Sequence, residues 1–141
     1  MYPKKQAWVK TLNEYIEKYS DQEIILVGHS LASATIAHWS IKHFSKTSAK
    51  IKGALLVCPS DVEQSDFPEE IQGFGPMPIN PLKFKTIVVA SSNDNYVDID
   101  RAKYFAQCWE AELIDIGPHG HINASAGFGD WPEGERLLGG F

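Results

Sequence analysis

The stretch EIILVGHSLASATIAHWSIKHF, residues 23–44, constrains this chain more than any other. Ile24, Ile25, Leu26 and Val27 form an apolar run too short for a buried helix, and three of the four are Ile or Val. Their back-to-back placement predicts a strand covered on both faces, the kind found in parallel sheets. Gly28, His29 and Ser30 end the run, and Ala34, Ala37, His38, Ile41 and Phe44 then follow a helical pattern. The reading is strand, sharp turn, helix, with Ser30 at the turn.

That turn has the composition of a nucleophile elbow. A tight strand-to-helix turn brings the residues two positions either side of the serine into close contact, and Gly28 and Ala32 are both small. The usual pattern is G-x-S-x-G, so Ala32 adds one methyl group. An elbow holds the serine oxygen out at the carboxyl end of the sheet and aims the Leu31 N–H, at the start of the helix, where an oxyanion would form. Taken alone, G-x-S-x-[GA] arises by chance in roughly one chain in ten of this length. The surrounding strand and helix give it meaning.

At 141 residues the chain is long enough for one domain with a real core. Thirteen basic and eighteen acidic residues give a net charge of −5 with no basic block. This argues against a nucleic-acid partner or an anionic membrane surface and is compatible with a small, modestly polar substrate. Cys58 and Cys108 are the only cysteines, and their settings predict buried thiols rather than a disulfide framework or a metal site. No signal peptide or membrane span is visible, so a reducing cytoplasm is the expected location.

Around the elbow the chain reads as alternating helices and strands. Trp8, Leu12, Ile16 and Tyr19 mark an apolar stripe on a helix within residues 2–19 that opens at Pro3. Strands are expected at 51–57, 86–90 and 112–116, with helices near 98–110 and 133–138. The fold class is therefore α/β, a mainly parallel sheet of about four strands with helices on both faces. Residues 59–82 hold five prolines and no periodicity, which predicts a long loop. Among its apolar residues, Phe67, Phe74 and Met77 are read as substrate-binding side chains over Ser30, with pinning of the loop to the core as the competing reading.

A serine hydroxyl needs a base to take its proton and a carboxylate to orient that base. In doubly wound folds such partners come from loops beyond the carboxyl ends of the strands. Asp94 follows the third strand, and His119 and His121 follow the fourth, giving the chain order Ser, Asp, His of an α/β-hydrolase. Asp98 and Asp100 open a helix and are better explained as cap and dipole residues. Asp61 follows a different strand. Spacing does not separate His119 from His121.

Together GHSLA, SSNDNYV and GHINASAGFGDWPEG resemble the small serine hydrolases related to retinoblastoma-binding protein 9, and the likeness runs along essentially the whole chain. The resemblance implies Ser30 as nucleophile, Asp94 as acid and His121, in Gly-His-x-Asn, as the catalytic histidine. It implies hydrolysis of small carboxylic esters without metal or organic cofactor. It also implies that residues 1–141 form a single domain lacking the first strand and the oxyanion loop of that family. The nucleophile strand would then lie at an open edge, exposed to self-association. The alternative is a non-catalytic remnant that acts as a binding or interaction module through that edge and the Pro-rich loop. A third reading keeps the elbow and transfers acyl groups to an alcohol or amine.

Overall fold

The computed structural model describes residues 2–141. In chain order it contains α1 (Lys5–Lys18), β1 (Glu23–His29), α2 (Leu31–His43), β2 (Lys50–Val57), β3 (Lys85–Ala90), α3 (Ile99–Cys108), β4 (Glu112–Asp115) and α4 (Pro132–Leu138). The four strands form one sheet in the order β1-β2-β3-β4, and every neighbouring pair is parallel. Parallel neighbours need crossovers, and α2 and α3 supply two of them. All four strands therefore end on one side, which is where their loops can meet.

Alternation along the strands divides the core between two faces. Leu26, Ala54, Leu56, Val88 and Ala90 pack with Ile36, Trp39, Phe105 and Trp109 in the larger cluster. Leu55, Val57, Ile87 and Val89 face the other way, toward Ile122, Trp131, Leu137 and Phe141. Trp39, Phe105 and Trp109 are fully buried, and truncating any one of them to alanine should cost about 3–5 kcal/mol. The indole N–H of Trp39 donates to Asn13 Oδ1 at 2.9 Å, and that of Trp109 to the Pro78 carbonyl at 2.7 Å. These two bonds tie α1 to α2 and the long loop to α3.

Two expectations need correction. The first helix starts at Lys5 rather than near Pro3, because Lys4 is extended and the Lys5 N–H donates to the Gln72 carbonyl instead. The central apolar run is not covered on both faces. Strand β1 has β2 on one side and lies at the sheet edge, and Val27 is 56% exposed while Leu26 is buried. Beside it, Trp8, Leu12, Tyr15, Val27 and Ile36 line an apolar groove of about 470 Å³. Trp8 in α1 and Tyr19 at its C-cap, half of the apolar stripe expected of the first helix, are also exposed.

Candidate active site

Ser30 links β1 directly to α2 with φ 59° and ψ −122°, a backbone conformation that non-glycine residues rarely adopt. The surrounding turn enforces it. A Cβ on Gly28 would lie 2.8 Å from Ile36 Cδ1 and 3.0 Å from the backbone of Ala32 and Ser33, so the position admits only glycine. The Ser33 hydroxyl donates to the Gly28 carbonyl at 3.1 Å, and the Ser30 N–H donates to the Val57 carbonyl at 2.9 Å. Leu31 is the first residue of α2, so its N–H has no carbonyl one turn back to bond and points out of the helix start.

Three loops converge on Ser30. His121 Nε2 lies 2.8 Å from Ser30 Oγ, and its Nδ1 lies 2.9 Å from both carboxylate oxygens of Asp94. The Asp94 side chain is fully buried and that of His121 is 11% exposed. Asp94 Oδ1 also accepts the Tyr96 N–H at 2.9 Å, so the acid shapes its own turn as well as facing the histidine. The imidazole is flanked by the rings of His29 and Tyr96, with centroids 4.7 and 4.4 Å away. His29 Nε2 bonds the His121 carbonyl oxygen at 2.8 Å, which fixes the backbone beneath the ring.

His119, which spacing could not separate from His121, is placed elsewhere. Its ring packs edge-on against Phe128, and its N–H donates to Ser91 Oγ at 2.9 Å. Asn93 Oδ1 accepts the Gly120 N–H at 2.7 Å and the Ser91 hydroxyl at 3.0 Å. The loop after β3 thus holds the loop after β4 by side-chain bonds, and this brings His121 onto Asp94. Asp98 occupies the cap position of α3 but makes no side-chain cap bond. Asp61 is bound by Arg101 through Nε at 2.9 Å and Nη2 at 3.3 Å.

The apolar residues of the long loop do not form an open acyl surface. Phe74 and Met77 are 1% and 3% exposed and belong to the larger core, where Phe74 packs edge-on against Trp8 and His38. Phe67 is half-buried against the same cluster. Packing consumes the faces of Phe74 and Met77 that a substrate would need, so these two side chains pin the loop. The sequence reading missed two residues at the site, Cys58 and Ser60. Each lies just beyond the carboxyl end of β2, the one place in the Pro-rich segment where a parallel sheet delivers side chains to this edge.

Cys58 is fully buried with φ 47°. Burial pushes its thiol pKa far up, and the neighbouring Asp94 carboxylate pushes the same way. Cys58, Asp94 and His121 offer donor atoms within 4.8 Å of one another, the geometric minimum for a metal. The chemistry fits poorly, because the thiolate is the ligand form and this thiol is held protonated. Both ring nitrogens of His121 already have partners.

Fold and site define an α/β hydrolase, and known proteins agree. The model of the serine hydrolase family matches residues 1–140, and the chain belongs to that family. It is similar to a YdeN-like hydrolase from Pectobacterium atrosepticum, at 33% identity over 99% of this chain and 70% of that one, with a TM-score of 0.81. The ydeN gene product of B. subtilis shares the fold at 24% identity over 98% and 75% of the two chains, with a TM-score of 0.73. An α/β hydrolase from a lagoon-sediment metagenome does so at 16% identity over 96% and 68%, with a TM-score of 0.68. No curated protein matches the sequence. The chain is a hydrolase, and none of its described helices is long and apolar enough to cross a membrane.

Proposed function

We propose that this hydrolase cleaves small carboxylic esters through Ser30, His121 and Asp94. The observation that carries the reading is the continuous path from Ser30 Oγ to His121 Nε2 at 2.8 Å and from Nδ1 to Asp94 at 2.9 Å. Asp94 keeps the proton of the neutral imidazole on Nδ1, which leaves the Nε2 lone pair facing the hydroxyl. As Ser30 Oγ attacks the ester carbonyl, its proton passes to Nε2. The Leu31 N–H supports the negative charge that develops on the carbonyl oxygen. His121 then gives that proton to the leaving alkoxide, which departs as the alcohol. A water molecule attacks the acyl-enzyme, losing a proton to His121, which returns it to Ser30 Oγ as the carboxylic acid leaves.

The likeness of the GHSLA, SSNDNYV and GHINASAGFGDWPEG motifs to the retinoblastoma-binding protein 9 relatives supports the same residue roles and a small ester as substrate. We place the protein in the cytoplasm, where its two free cysteines, Cys58 and Cys108, would stay reduced. The direct test is labelling with a serine-reactive fluorophosphonate together with hydrolysis of p-nitrophenyl acetate and butyrate. The parent chain should label and turn over, and Ser30→Ala should do neither, with a loss on the order of 10⁶-fold. A folded but unlabelled parent would favour the binding-module alternative, for which the open edge of β1 is the supporting observation. Esters that yield transfer products with added alcohols or amines would favour the acyl-transfer reading.

A further inference from the structure

A second hydroxyl touches the nucleophile. Ser60 Oγ lies 2.7 Å from Ser30 Oγ, closer than the histidine, and Ser60 is 4% exposed. Among the described residues, Ser30 is the one hydrogen-bond partner of that side chain. The direction of the bond follows from counting protons. With Asp94 an acceptor toward His121 Nδ1, the single proton of the neutral imidazole, the form that acts as base, sits on Nδ1 and Nε2 can only accept. The Ser30 proton is therefore committed to His121. Ser60 must be the donor, with Ser30 Oγ accepting.

The chain fixes Ser60 on both sides. Beyond β2 the backbone turns at Cys58, whose N–H donates to the Val89 carbonyl at 2.8 Å. The Ser60 N–H approaches the Ser30 carbonyl at 3.4 Å, and the next N–H, of Asp61, donates to the Tyr96 carbonyl at 2.9 Å. Arg101 grips the buried Asp61 carboxylate from α3. A hydroxyl held this way does not have to be reorganised when charge develops beside it.

We propose that Ser60 is a further catalytic residue, a hydroxyl donor to the nucleophile oxygen, in the ester hydrolysis proposed above, on which this inference rests. When the Ser30 proton moves to His121, negative charge builds on Oγ, and a neutral hydrogen bond becomes a charge-assisted one. The Ser60 proton stays on Ser60; no bond to it forms or breaks. Once Oγ carries the acyl group it is a weak acceptor, and the bond slackens. In deacylation negative charge builds on the same oxygen as its bond to the acyl carbon breaks and His121 reprotonates it, so Ser60 assists both halves of the cycle.

The experiment compares Ser60→Ala, Ser60→Cys and Ser60→Thr with the parent for fluorophosphonate labelling rate and p-nitrophenyl butyrate turnover across pH, alongside thermal unfolding. Losing a hydrogen bond to a developing charge should slow labelling by roughly 10- to 100-fold in Ser60→Ala. Ser60→Cys, nearly the same size with a weak donor, should fall between, and Ser60→Thr, which keeps the hydroxyl, should recover most of the rate. A packing role would instead follow the unfolding temperatures and leave Ser60→Cys like the parent. Ser60→Ala labelling within about twofold of the parent would overturn the proposal and leave the triad reading intact. Should Ser60→Ala fail to fold, a parent-like rate in Ser60→Cys overturns it equally. A folded parent that does not label removes the hydrolytic reading and this inference with it.

Discussion

One strand, β1, meets two different environments. At its carboxyl end the side chains that converge on Ser30 are shielded and bonded, with the Asp94 carboxylate out of contact with solvent and His121 nearly so. Along its outer side, Val27 is 56% exposed and Tyr15 59%, in a groove with few polar partners. The first environment is built by the loops that follow β2, β3 and β4, which meet Ser30 beyond the carboxyl ends of the strands. The second is lined by α1, the first turns of α2 and the strand itself. Chemistry and association should therefore be separable in this molecule: changes at the carboxyl end should alter rate without altering assembly, and changes on the outer side the reverse.

The largest effect that would sharpen this contrast is at Asp94. Asp94→Asn keeps the shape but accepts and donates differently toward His121 Nδ1, and turnover should fall by about 10⁴-fold. Fluorophosphonate labelling should persist at a much reduced rate, and sedimentation behaviour should not change. A variant that hydrolyses esters at the parental rate would break the site half of the comparison.

A smaller effect is expected on the outer side. An apolar strand with unpaired N–H and C=O groups invites pairing with another chain, and a charge there blunts it. Val27→Lys should raise the concentration needed for self-association by roughly tenfold, the scale of one valine's burial. Labelling should be unaffected. Light scattering coupled to size exclusion checks it, and a parent chain that stays monomeric at every concentration would break the flank half.

The smallest effect concerns pH. Burial lowers the pKa of His38 below its ordinary value, an effect its hydrogen bond to the Phe74 carbonyl opposes and Lys5 reinforces. Below pH about 6.5 the unfolded chain takes up a proton that folded His38 refuses. The contribution of His38 to stability is thus complete above that pH and declines as pH falls toward its folded pKa. His38→Gln should flatten this part of the stability profile in urea titrations, with no change in labelling at neutral pH. An unchanged acid slope would remove His38 from the account.

How much of this was legible in the sequence depended on whether a residue's role is local. The elbow was legible because Gly28, Ser30 and the apolar run act within a few positions of one another, and the parallel α/β sheet followed from the same alternation of strands and helices. His119 and His121 were not separable by spacing, since what sorts them is Ser91 and Asn93, nearly thirty residues earlier, holding the backbone of the last loop. Phe74 and Met77 read equally well as pocket or anchor, because an apolar residue in a loop carries no periodicity to say which way it faces. Ser60 was invisible for the same reason: Pro-Ser-Asp in a proline-rich segment has the composition of any turn, and only the register of β2 against β1 brings its hydroxyl to Ser30.

The backbone of Ser30 carries one more consequence. At φ 59° a serine sits where its Cβ is crowded, at a cost of order 1–3 kcal/mol, and glycine would sit there freely. A chain selected for endurance alone would place glycine at position 30 and melt later for it. Keeping the side chain there is a standing sacrifice of heat tolerance, made at the position of the proposed nucleophile.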